Sequence, residues 1–187
     1  MSNNQKTKDD LRIEIEDKII RNSTEINILG MKINDKLNWK SSLVQGNESL
    51  LHQLKIRNYT LKKVSKFLDP TMKKMYANAI IRGKYSYGME NWGGAGKTEI
   101  KQIQIQQNKA ARIATFDRKN PNKSTGNCLK ELKWLSIEKE IEYVTHIKTF
   151  KTINSEIDDE MHYLIPKILT MVDFKQIINW EINLKIL

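Results

Sequence analysis

The sequence is poor in cysteine, in histidine and in long apolar runs, and each shortage removes a class of protein. Cys128 is the only cysteine, so no internal disulfide can form. The three histidines, His52, His146 and His162, are scattered, and with one cysteine they offer no zinc-binding spacing. No apolar run approaches the roughly 18 residues of a membrane span. The opening MSNNQKTKDD lacks the apolar segment of a signal peptide. These shortages point to an intracellular chain, nuclear or cytoplasmic, with no structural metal and no membrane partner.

Acidic residues are scarce too, but only in places. Residues 51–85 hold Lys55, Arg57, Lys62, Lys63, Lys66, Lys73, Lys74, Arg82 and Lys84 against Asp69 alone. Residues 97–134 hold nine basic residues against Glu99, Asp117 and Glu131, whereas residues 151–187 carry four lysines against six acids. A basic middle and a mildly acidic tail fit a polyanion partner for the middle, most simply nucleic acid. A lysine-rich solvated surface would give the same composition. What remains is enough for one domain or a domain plus an appendage: 187 residues, 39% hydrophobic, net charge +10.

The apolar pattern changes period along the chain. In residues 11–33 Leu11, Ile13 and Ile15 alternate with Arg12 and Glu14, and Ile26, Ile28, Met31 and Ile33 resume after a turn at RNSTE. Period two between turn signals indicates a sheet of about three short antiparallel strands, which needs covering. From Lys40 the spacing becomes three and four: Leu43, Asn47, Leu50, Leu54, Arg57, Leu61, Val64 and Leu68, with two polar exceptions and weakened at Gly46. Asp69 followed by Pro70 is a helix start, and Met72, Met75, Tyr76, Ala79, Ile80, Gly83 and Tyr87 read as its inward stripe. Further helices are expected over 98–115, over CLKELKWL, and from Ser136 through Phe150, with Ile137, Ile141, Val144, Ile147 and Phe150 inward. The fold class expected is mainly α, a short antiparallel β segment followed by a helical bundle. The methionine and aromatic stripes read as core, not as a ligand platform.

The stretch GGAGKT invites a phosphate-binding loop, which requires G-x-x-x-x-G-K-[ST] after a buried strand. Gly96, Lys97 and Thr98 supply the second half only. Asn91 stands where the first glycine belongs, and the residues before it have helical spacing. A small nucleotidase therefore has little support, and the glycines serve to end one helix and turn the chain.

Taken in order, four blocks resemble one family. INILGMKINDKLNWKSSL is similar to the segment of non-LTR (LINE-type) retrotransposon reverse transcriptases that leads from the last palm strand into the thumb. Leu29, Gly30, Leu37 and Trp39 match it, while Ser42 departs from the usual histidine. MYANAIIRGKYSYGMENWGG, IQQNKAARIA and LKELKWLSIEKEIEYVTHIKTFKTIN resemble the blocks that follow in that family. Together they cover about residues 26–165. Asn3, Lys6 and Thr7 of SNNQKT fall on the family's N-x-x-K-[ST] patch.

The resemblance implies a palm-edge remnant over 1–40, a helical thumb-like region over 41–165 and a short helical tail over 166–187. It implies a primer-grip-like role for Leu29 and Gly30. The aspartates that hold two divalent metals in the parent polymerase are not matched: Asp9-Asp10 stands on the wrong side of the patch, and Asp158-Asp159 begins the acidic tail. The chain thus reads as a reverse-transcriptase fragment that is no enzyme as it stands, with no cofactor, magnesium belonging to the intact parent. Expected partners are DNA or RNA duplex or hybrid, bound without sequence preference, and the missing polymerase half. Lys55, Tyr59, Lys62 and Lys66 step by four, three and four, one stripe of a helix. With Lys73 and Lys74 just beyond the Asp69-Pro70 turn they are the nucleic-acid-binding candidates. The competing reading is a co-opted helical protein-interaction module.

Overall fold

The structure, a computed structural model, describes residues 12–15, 18–21, 23–36, 38–116 and 122–154. It opens on two antiparallel pairs where a single sheet was expected. Strands β1 (Arg12–Ile15) and β2 (Lys18–Arg21) form one, and β3 (Glu25–Ile28) and β4 (Met31–Asn34) the other. The second hairpin closes through Leu29 and Gly30, with φ of 51° and 77°. A two-residue hairpin loop of this twist needs positive φ at both positions, and leucine is an uncommon occupant of one. The side chains of Asn34 and Asn38 bond each other across the exit from β4, and α1 (Lys40–Leu43) follows, packed on β4.

Everything after β4 is helical, so the expected mainly α architecture holds. Gly46, with φ of 80°, breaks the first helical run. Helix α2 (Leu50–Val64) restarts at Ser49, whose hydroxyl accepts from the His52 amide. Leu50, Leu54 and Leu61 are buried as the spacing required. Asn58 is buried beside them and donates to the Gln106 carbonyl at 3.0 Å, tying α2 to α6 (Lys97–Ala114). Asp69 caps α3 (Pro70–Tyr76) by accepting from the Thr71 and Met72 amides at 2.8 and 2.9 Å.

Beyond Tyr76 the expected stripe is out of phase. The buried residues are Ala77, Ile81 and Tyr85, all 0% exposed, while Met72, Met75, Ala79 and Tyr87 face solvent. A stripe that steps by four would drift by about 80° between 77 and 85 on an ordinary α-helix of 3.6 residues per turn. The chain adopts a π-helix over Ala77–Arg82 before α4 (Gly83–Ser86), and this wider turn keeps all three side chains on one face. A helix turn of this kind is not visible to a three-four template.

Gly88, at φ 62°, ends this segment and starts α5 (Met89–Trp92). Helices α6, α7 (Thr125–Leu132) and α8 (Ile137–Asn154) complete the described chain. Ser136 caps α8 as expected. Its inward face is deepest at Ile137 and shallows until Phe150 is 48% exposed. Among the described residues one apolar core joins Leu43, Leu54, Ile81, Trp92, Ile103 and Ile137. A β-carbon on Gly88 would sit 2.7 Å from Met31 Sδ, where the hairpin meets the helices. Gly88→Ala should therefore cost about 1–2 kcal/mol, from the left-handed backbone and the displaced methionine. Urea unfolding measures it, and an unchanged midpoint would mean the turn relaxes freely.

Candidate nucleic-acid interface

The face of α2 beside its leucine seam carries Lys55, Tyr59, Lys62 and, two residues past the helix end, Lys66, all exposed. The structure thus brings this quartet together as one ridge. Lys63 joins it, a residue the stripe omitted. Its ammonium lies 5.3 Å from the centre of the Tyr59 ring, which is 62% exposed. The i, i+4 spacing from Tyr59 was the available signal. Among the described residues Lys55, Lys62, Lys63 and Lys66 have no acidic partner.

Lys73 and Lys74 are placed differently. Both are half-buried, and Lys74 is ion-paired with Glu131 of α7 at 2.8 Å. Lys123 binds the other oxygen of the same carboxylate. Hydrogen bonds from Lys123 and then Lys74 hold Glu131 below the usual carboxylate range, so it stays ionised and keeps both cations. Lys74 is a structural cation. Apolar side chains border the ridge at its α3 end: Phe67 is 87% exposed, Met75 66% and Met72 54%.

On the other flank of α2, Arg57 stands close enough to Lys84 for its charge, after burial, to lower the Lys84 pKa. Neither has an acidic partner among the described residues. Arg57 lies about 160° around the helix from Lys55 at 3.6 residues per turn, so it belongs to a different surface.

Leu29 and Gly30 sit at the tip of the β3–β4 hairpin, with Leu29 80% exposed. The Tyr87 hydroxyl donates to the Leu29 carbonyl at 2.8 Å and fixes that tip on the helical region. Further contacts link the remaining blocks. Trp92 Nε1 donates to the Tyr87 carbonyl at 3.1 Å. The Gln107 amide, wholly buried, donates to Tyr85 Oη at 3.0 Å and to the Leu135 carbonyl at 2.9 Å. Tyr85 packs edge-on to Trp134, with ring centres 6.2 Å apart. Burial, and then the charge of Glu140, push the Tyr85 phenol above its ordinary range, so it stays neutral.

Lys97 opens α6 behind a helix, α5, and not a strand. A β-carbon on Gly96 would collide with the Glu99 carboxylate, which folds back over the start of α6. Asn3, Lys6, Thr7, Asp9, Asp10, Leu37, Asp158, Asp159 and the tail 166–187 lie outside the described residues. Among the described residues no group of three or more His, Cys, Asp or Glu could hold a metal ion, and no helix is long and apolar enough to cross a membrane. No family model, curated protein or solved structure matches this chain.

Proposed function

We propose that the chain is a palm-edge and thumb fragment of a non-LTR reverse transcriptase, without the catalytic aspartates, that binds duplex or hybrid nucleic acid non-specifically. The observation that carries it is the α2 ridge: four exposed lysines without acidic partners, spaced along one helix face and interleaved with an exposed tyrosine. Lysines so placed contact phosphates, and no side chain on the ridge is arrayed to read base edges. Tyr59 packs on sugar or an unstacked base. The origin rests on the four sequence blocks. Contacts join the first block to the second where Tyr87 meets Leu29, and the second to the third and fourth where Tyr85 meets Gln107 and Trp134.

The test is the salt dependence of binding. If about four phosphates are neutralised, log affinity should fall against log salt with a slope near −3.6, about −0.9 per contact on B-form DNA. Lys62→Ala with Lys66→Ala should make the slope shallower by about two units, and equally for unrelated sequences. An unchanged slope would return these lysines to ordinary surface. A protein-interaction module is the second reading, favoured by Phe67, Met72 and Met75 beside the ridge. It requires that nucleic acid not bind even at low salt.

A further inference from the structure

The outer side of α6 carries a second row of cations. Lys101, Ile105 and Lys109 step by four, are all exposed, and occupy about 12 Å of helix at 1.5 Å per residue. Among the described residues Lys101 and Lys109 have no acidic partner. Arg112 continues the row, but its Nε and Nη2 already donate to the Thr125 hydroxyl, so it is left out of the count. Acidic residues are all but absent from the two helices concerned. Helix α2 has none, and α6 has only Glu99, which is buried.

Burial fixes where this row lies relative to the α2 ridge. The Asn58 amide donates to the Gln106 carbonyl at 3.0 Å and to its Oε1 at 3.3 Å, which marks the seam between the two helices. Each residue turns an α-helix by about 100°. Counted round α2 from Asn58, the buried Leu50, Leu54 and Leu61 lie about 40–80° to one side, and Lys55, Tyr59 and Lys62 about 40–100° to the other. Counted round α6 from Gln106, the buried Ile103, Ala110 and Ala114 lie about 40–80° to one side, and Lys101, Ile105 and Lys109 about 60–140° to the other. Both buried sides belong to one core. Both exposed sides therefore open on the same solvent face, one on each flank of the seam.

Packed helices lie about 8–10 Å apart, and lysine stems splay outward from their axes. The two rows are thus separated by about the width of a groove, which is about 12 Å for the major groove of B-form DNA. We propose that α2 and α6 together hold a nucleic-acid duplex, one phosphate backbone on Lys55 and Lys62 and the other on Lys101 and Lys109. This rests on the nucleic-acid reading of the α2 ridge and adds a second strand to it. A single strand has only one backbone and occupies the α2 row, where Tyr59 offers its ring to a base. The α6 row is left to paired nucleic acid.

The experiment is the salt dependence of binding by the full chain, measured in parallel on a DNA duplex and on one of its strands. Lys101→Ala with Lys109→Ala should make the duplex slope shallower by about 1.8, about 0.9 per phosphate, and leave the single-strand slope unchanged. Raising salt from 50 to 200 mM should then cost the variant about twelvefold less duplex affinity than the parent. Ile105→Lys adds a cation in the middle of the row and should steepen the duplex slope by about 0.9, a gain that a damaged fold cannot give. Lys151→Ala, at an exposed position on α8, should change neither slope. Lys62→Ala with Lys66→Ala should flatten both, so each helix is tested separately. An unchanged duplex slope in the α6 variant, with its circular dichroism intact, would overturn the second row and leave the ridge standing. So would equal flattening on the single strand, or a matching change with Lys151→Ala, since the slope would then report net charge alone. Absence of binding to either substrate at low salt would overturn the ridge and the second row together.

Discussion

Trp92→Ala should lower the unfolding free energy by about 3–5 kcal/mol, the usual cost of removing a buried tryptophan side chain. Trp92 is 2% exposed, and its indole nitrogen satisfies the Tyr87 carbonyl. It also anchors a helix of four residues, which has no stability of its own. The adjacent Gly93 leaves no room for collapse from that side: a β-carbon there would already lie 2.7 Å from Ile141 of α8. The cavity would therefore stay largely open. Since domains are stable by only about 5–15 kcal/mol, the variant should lose a large share of its stability. Urea unfolding should show a lower midpoint with an unchanged slope. Phe67→Ala, at a side chain 87% exposed, should stay within about 0.5 kcal/mol of the parent. A Trp92 effect as small as that of Phe67 would place α5 outside the cooperative core.

Arg82→Ala should cost about 3 kcal/mol, because it strands a buried carboxylate. Arg82 Nε and Nη2 both reach Glu140 Oε1 at 3.1 Å, and the Ser86 hydroxyl donates to the same oxygen at 3.3 Å. The Glu140 side chain is only 4% exposed, and its Oε2 has no hydrogen-bond partner. Removing the arginine leaves the charge with one neutral donor. The figure sits at the low end of the range for broken buried pairs because Arg82 is itself 40% exposed and water can reach the gap. A double-mutant cycle separates the pair from the packing. In a Glu140→Gln background the same arginine replacement should cost less than half as much. Equal costs in both backgrounds would mean Arg82 acts through its aliphatic stem alone.

How far the sequence could be read varied with the range of the interactions. Leu50, Leu54 and Leu61, the Asp69-Pro70 start and the Ser136 cap are local signals, and the helices they imply stand where expected. The ridge of Lys55, Tyr59, Lys62 and Lys66 was legible for the same reason, since helix geometry alone puts these residues on one face. Lys74 was not. Its partner Glu131 lies far away in the chain, and only the packed fold reveals that this charge is committed. The hairpins fell between these cases: alternation located the strands, but whether they join one sheet or pair off separately depends on packing that no local pattern encodes.

The π-helix over Ala77–Arg82 also bears on which changes in chain length this protein can absorb. Ala77 and Tyr85 are separated by one residue more than the seven that fit two turns of an α-helix, and the wide turn accommodates the surplus. Dropping one residue from the solvent-facing part, at Ala79, would let the segment rewind to ordinary pitch with Tyr85 still directed inward, off the Ala77 line by only about 20°. A deletion in the middle of α2 would instead rotate everything after it by about 100° and pull Leu61 out of its seam. The segment is thus a natural site of length variation, where a lost residue relieves an irregularity and leaves the core in register.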